Sequence, residues 1–130
     1  MAIKELSALL SDLKPTLDPE EYVFCLLEKV PATLHPLSVF QEEEGTSIIC
    51  KKQDAELHKL EFEGIYKRIT LAVYSSLEAV GLTAVVSKAL TEANISANVV
   101  AAYCHDHVFV PEARAVEALE LIRGLDRTNL

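Results

Sequence analysis

The sequence predicts an α+β fold with antiparallel sheets and helices on one face. Three observations predict it. Ile69, Leu71 and Val73 alternate with Arg68 and Thr70, the period of a strand with one face on a core. Leu82, Val85, Val86, Ala89 and Leu90 recur at the spacing of one helix face. Two largely apolar runs, "SANVVAAYC" and "HVFVP", then precede a last helical stripe of Ala115, Leu119 and Ile122. The order in the second half is therefore β-α-β-β-α, one strand short of the βαββαβ ferredoxin-like pattern. The missing strand comes from the first half or from a partner chain.

The first half supplies a helix, a strand, a hairpin and a short helix. Leu6, Leu9, Leu10 and Leu13 form one helical face that stops before Pro15, and Asp18-Pro19 marks a turn. "EYVFCLLE" (residues 21–28) is short and rich in aromatic and apolar residues, which predicts a buried strand. Pro31 and Pro36 bracket a loop. Leu37 to Gln41 and Thr46 to Lys51 are the arms of a hairpin turning at Glu43-Glu44-Gly45, and Glu42 to Glu44 read as a solvated charge cluster at its tip. "QDAELHKL" predicts a short helix. In the second half Asn94 suits the left-handed end of the first helix, Pro111 opens the last helix and Gly124 ends it. The division falls into residues 1–62 and 63–130.

Composition excludes several functions. The chain has 130 residues, half of them hydrophobic, and a formal charge of −8 from 12 basic and 20 acidic residues. That balance repels phosphate backbones and anionic bilayers, so neither nucleic acid nor membrane is an expected partner. No apolar run approaches the roughly 20 residues of a membrane span. The N-terminus, with Lys4, Glu5, Asp12 and Lys14 among its leucines, lacks the form of a secretory signal, so a cytoplasmic location is expected. Cys25, Cys50 and Cys104 are odd in number and form no C-x-x-C pair, and they read as small reduced core residues.

The run Cys104-His105-Asp106-His107 places four metal-ligating types together. On a strand His105 and His107 share one side while Cys104 and Asp106 take the other, so at most two ligands converge. His35 and His58 have no fixed relation to them. The same alternation separates Cys104 from His105 as a nucleophile pair. No phosphate loop, dinucleotide fingerprint or G-x-S-x-G elbow is present. The expectation is no enzyme, no metal and no cofactor, with His105-Asp106 connecting two antiparallel strands.

The segment "SSLEAVGLTAVVSKALTEANISANVV", with "HDHVFVP" and "EYVFCLLE", resembles the ACT domain. The whole chain resembles small bacterial ACT-domain proteins in which two ACT-like halves share one short chain, similar to the paired regulatory domains of aspartate kinases. The resemblance implies a non-catalytic regulatory fold that binds a small molecule, usually an amino acid, and a homodimer. It places the ligand on the loop before the first helix, Ser75, Ser76, Leu77, Glu78, Ala79, Val80, Gly81 and Leu82, and on the next strand at Ala97, Asn98 and Val99. The loop has Glu78-Ala79-Val80-Gly81-Leu82 where the family more often has Asp-x-Pro-Gly-x-Leu. A helix beginning near Gly81 presents unpaired N–H groups and a positive dipole end, which suit a carboxylate. Glu78 can accept from an ammonium group, and Asn98 offers a donor and an acceptor. Serines here also tie loops, and an amide in a strand also bonds protein backbone. Two further functions compete: an interaction module without ligand, and a metal-dependent enzyme around Cys104, His105 and His107.

Overall fold

The computed structural model describes residues 5–73 and 80–127. Along the chain run α1 (Leu6–Ser11), β1 (Pro15–Leu17), β2 (Tyr22–Leu27), β3 (Ser38–Glu42), β4 (Gly45–Lys51), α2 (Lys52–Leu57), β5 (Tyr66–Leu71), α3 (Leu82–Glu92), β6 (Asn98–Ala101), β7 (Asp106–Pro111) and α4 (Ala115–Arg123). Short 3-10 turns flank α4. Two compact units result, one of residues 1–18 with 67–130 and one of residues 19–66.

In the first unit β5 is bonded to both β1 and β7, and β7 pairs with β6, giving the order β1-β5-β7-β6. The fourth strand of the ferredoxin-like pattern is thus β1, with Pro15, Thr16 and Leu17 antiparallel to Leu71, Thr70 and Ile69. The sequence gives this strand no period to read, because three residues beginning with proline are too few. Its end is fastened twice: the Asp18 N–H donates to the Arg68 carbonyl at 2.9 Å, and Arg68 Nη2 donates to Asp18 Oδ2 at 2.9 Å.

One face of this sheet carries the core. Ile69, Leu71, Val108 and Val110 meet Leu82, Val86 and Leu90 of α3, Ala118 and Ile122 of α4, and Leu9 and Leu10 of α1. The predicted helical stripes are therefore the buried ones. Helix α3 ends as expected, with Asn94 at φ +59° and the Ile95 N–H donating back to the Leu90 carbonyl at 2.9 Å. Arg114 adds a second closure, its Nη2 donating to the Ala93 carbonyl at 3.0 Å.

The second unit is a three-stranded antiparallel sheet in the order β3-β4-β2. Val23, Cys25, Ile48 and Cys50 form its core with Leu34 and Ala55 of α2. His58 ties the loop to α2. Its Nδ1 donates to the Asp54 carbonyl at 3.0 Å, so its Nε2 is free to accept from the Thr33 hydroxyl at 2.9 Å. Strand β2 is not buried on both faces as its composition predicts, because Phe24 and Leu26 point outward. Cys25 and Cys50 are buried as expected, whereas Cys104 is exposed. Burial, with the neighbouring Cys25 adding to it, pushes the Cys50 thiol up to about 12, which leaves it inert. No helix among the described residues is long and apolar enough to cross a membrane.

The hairpin turns at Glu43 and Glu44, and Gly45 already belongs to β4. Gly45 has φ +150°, and a Cβ there would lie 2.8 Å from the Leu27 carbonyl oxygen. Gly124 meets nothing within 4 Å and has φ −77°. Gly45→Ala is therefore expected to cost about 1–3 kcal/mol in urea unfolding, while Gly124→Ala is expected to gain about 0.4–1 kcal/mol. Equal effects of the two substitutions would contradict this assignment.

Candidate functional site

The candidate site is built around the start of α3. Gly81 occupies the N-cap at φ +101°, a left-handed conformation, and among the described residues no side chain caps the helix there. Its carbonyl accepts from the Val85 N–H at 3.0 Å. The positive φ favours glycine at this position, and a Cβ there would also approach Leu6 Cδ2 of α1 to 3.2 Å, so that side chain would have to shift. No acidic residue lies in the first turn. The first N–H groups of α3 therefore lack a carboxylate of their own helix, and the dipole adds positive character to them.

The neighbours of Gly81 fix this end in space. Val80 is 82% exposed and Leu82 is buried at 3%. The chain thus passes from solvent to core across one glycine, and Leu82 anchors the helix start in the unit's core. Ser75, Ser76, Leu77, Glu78 and Ala79 lie outside the described residues.

Strand β6 ends the order β1-β5-β7-β6. Ala97 and Val99 pack against the core beneath the helices, and Asn98, by alternation, takes the opposite face. Asn98 is exposed, and its Nδ2 donates to the carbonyl of Phe109, its partner in register, at 3.2 Å. The side chain of Asn98 and the N-terminus of α3 therefore do not share a face of the sheet. What β6 offers on the helix side is backbone and the apolar Val99.

The connection between β6 and β7 runs over Ala102 to His105, closed by the Ala102 N–H donating to the His105 carbonyl at 3.1 Å. It lies earlier in the chain than the expected His105-Asp106 turn, because Asp106 already pairs with Ala101. The four polar groups diverge. Cys104 is exposed, His105 Nδ1 donates to the Val73 carbonyl at 3.2 Å, and His107 Nδ1 lies 3.0 Å from the Thr70 hydroxyl. Among the described residues no three His, Cys, Asp or Glu side chains come together to hold a metal ion. The Thr70–His107 and Asp18–Arg68 contacts were hidden from sequence reasoning. The alternation of β5 puts Arg68 and Thr70 on one face but does not say which strands flank them.

Burial holds the His107 imidazole below its ordinary 6.5, and the positive charges of Arg68 and His105 add to that. Burial pushes the Asp106 carboxyl upward from 3.8, with His105 opposing. His107 takes a proton more readily in the unfolded chain than in the folded one. Its contribution to stability is therefore lost as pH falls below 6.5 toward the lower folded value. The Asp106 contribution has the opposite sign, and changes from 3.8 upward. The melting temperature of the wild type is expected to fall more steeply between about pH 7.5 and about pH 5.5 than that of His107→Asn. Parallel pH profiles for the two proteins would refute the role given to His107.

Two family models described as ACT domain match the chain, one over residues 1–67 and the other over residues 66–124. Among solved structures, a Vibrio cholerae protein of unknown function, described as a possible transport protein, is 38% identical with a TM-score of 0.84, covering 93% of this chain and 95% of that one. A protein from Agrobacterium tumefaciens shares the fold at 17% identity and TM-score 0.73, over 86% of this chain and 87% of its own. The ligand-free regulatory subunit of aspartate kinase from Thermus thermophilus shares it at 12% identity and TM-score 0.65, over 92% and 99%. Among curated proteins none matches.

Proposed function

Because this chain belongs to the ACT domain family, we propose that it is a non-catalytic regulatory protein of the bacterial cytoplasm that binds a small molecule, an amino acid, at the start of α3. The observation that carries the reading is the N-terminus of α3 behind Gly81, where the first turn holds no acidic residue and, among the described residues, no side chain caps the N–H groups at the positive end of the dipole. The ligand carboxylate sits on those N–H groups. Glu78, together with Ser75, Ser76, Leu77, Ala79, Val80 and Leu82, forms the loop side. The backbone of Ala97, Asn98 and Val99 forms the strand side. Likeness in fold to regulatory subunits of aspartate kinase supports a regulatory role. The active form in this reading is a homodimer, with β6 as the edge available for pairing, since it ends the strand order.

A second reading has one observation in its favour. The Asn98 amide is already bonded to the Phe109 carbonyl, as in an interaction module that holds no ligand.

Thermal melting in the presence of each of the twenty amino acids separates the two. One amino acid, or a few of similar chemistry, is expected to raise the midpoint, by about 2.7 kcal/mol of stabilisation at a hundredfold excess over Kd. Glu78→Gln is expected to weaken that ligand at least about tenfold while leaving the ligand-free midpoint unchanged. No shift with any amino acid at millimolar concentration would remove the ligand reading and leave the interaction module.

A further inference from the structure

The three-stranded sheet of residues 19–66 has a second face, opposite its core. Register places Leu26, Ser47 and Phe40 in one row across the strands and Phe24, Ile49 and Ser38 in the next. Phe40 is 69% exposed and Leu26 56%, whereas Ile49 and Tyr22 on the same side are buried. The open part of the face is therefore its Leu26–Phe40 end, with Phe24, 36% exposed and packed edge-on against Tyr66 at 5.1 Å, at the border. Phe40, Leu26 and Phe24 all stand outside the core cluster around Val23 and Ile48, which lies on the side of α2. Ser47 lies between Leu26 and Phe40 in register, and a Cβ on Gly45 would come within 3.2 Å of Leu26 Cδ1. Large apolar side chains gathered on one exposed face are uncommon on a surface that meets only water.

The margin of this face is acidic. Glu42 closes β3 and accepts from the Ser47 hydroxyl, with Glu43 and Glu44 next in the turn. Beside Phe24, Glu61 and Glu63 line a shallow cleft with Phe62. Lys51 shares the face by alternation and is paired with Glu20 at 3.8 Å. Residues 19–66 hold ten of the twenty acidic groups and four of the twelve basic ones, a net −6 out of the −8 of the whole chain.

Charge selects the occupant. A second copy would bring the same net −6 against this face, and like charge across an interface opposes association. Phosphate-bearing surfaces are disfavoured for the same reason. A complement needs apolar side chains for Phe24, Leu26 and Phe40, and cations for Glu42 to Glu44, Glu61 and Glu63. We infer that this face docks a segment of a different protein, apolar along one side and bearing lysine or arginine at its margins. Phe40 and Leu26 are the anchors, and the glutamates set selectivity and rate of encounter. The site lies in the other unit from the start of α3 and does not depend on the small-molecule reading.

The test uses the full chain and two synthetic peptides, an amphipathic helix of leucine and lysine and its counterpart with every lysine replaced by glutamate. The leucine–lysine peptide is expected to bind and to move the amide resonances of Phe24, Leu26 and Phe40, with affinity falling as salt rises. The leucine–glutamate peptide is expected to bind at least about tenfold more weakly. Leu26→Ser with Phe40→Ser is expected to lower affinity by a similar factor without lowering the melting temperature, since both side chains are exposed. Glu61→Gln with Glu63→Gln is expected to weaken binding and flatten its salt dependence. Equal binding of the two peptides, resonance changes elsewhere, or unchanged binding by the Leu26/Phe40 variant would overturn the inference. So would conversion of a dimer to a monomer by that variant, which would assign the face to a second copy. None of these results bears on amino-acid binding, which is read with the separate melting titration and Glu78→Gln.

Discussion

The pairing of β1 with β5 is the constraint on which the larger unit depends. Strand β5 would otherwise present a row of unpaired N–H and C=O groups beside the core strands Ile69 and Leu71 occupy. Three residues from 52 to 56 positions earlier in the chain satisfy that row. Closing so long a loop costs entropy that rises only slowly with length. It is offset by backbone hydrogen bonds of about 0.5–1.5 kcal/mol each, by the Asp18–Arg68 ion pair at 17% and 22% exposure, and by the burial of Leu9, Leu10 and Leu13 on the same core. The helix that precedes β1 is thus part of the unit formed mostly by the second half of the chain. Its Leu6 reaches the glycine at the start of α3.

The two units differ where function would be placed. In the larger one, strand, helix and strand follow in sequence through β5, α3 and β6. In the smaller one, residues 28–37 cross from β2 to β3 without a helix. Pro31 and Pro36 sit inside this stretch of ten residues, and a turn closes with the Leu34 N–H on the Pro31 carbonyl at 3.0 Å. Proline removes helix donors, and a crossover this short leaves little room for a helix. Without a helix there is no terminus with free N–H groups and no dipole to hold an anion. A helix start is therefore present behind Gly81 and missing from the connection between β2 and β3.

Much of this was legible in the sequence, for reasons that also explain what was not. The stripe from Leu82 to Leu90 and the alternation from Arg68 to Leu71 are periodic signals, and both faces came out as read. Asn94 was legible because few side chains tolerate φ +59°. Strand β1 was not legible, since its partner is fixed by the tertiary fold and not by its own three residues. The outward face of β2 was not legible either: "YVFCLL" is apolar at every position, so composition hides an alternation that only burial reveals. The same blindness concealed Cys104, which follows apolar residues but sits in an exposed connection. At the candidate site, Gly81 was readable from its place before a helical stripe. The direction of Asn98 was set by β-pairing with Phe109.

An exposed edge strand such as β3, with Val39 and Phe40 open to solvent, is the kind of element that joins copies of a protein in an uncontrolled way. It contains no proline, lysine or bulge to prevent this. What stands at its end is a run of three glutamates, Glu42 to Glu44. The concentration of net −6 in residues 19–66 does more. It sets like charge against like charge when two copies approach through this face, which opposes their association there. The same charges that oppose a second copy favour a basic partner, because both effects are the sign of one potential. The hairpin tip that reads in sequence as a plain solvated cluster thus acquires a second consequence once Phe40 and Leu26 are seen beside it.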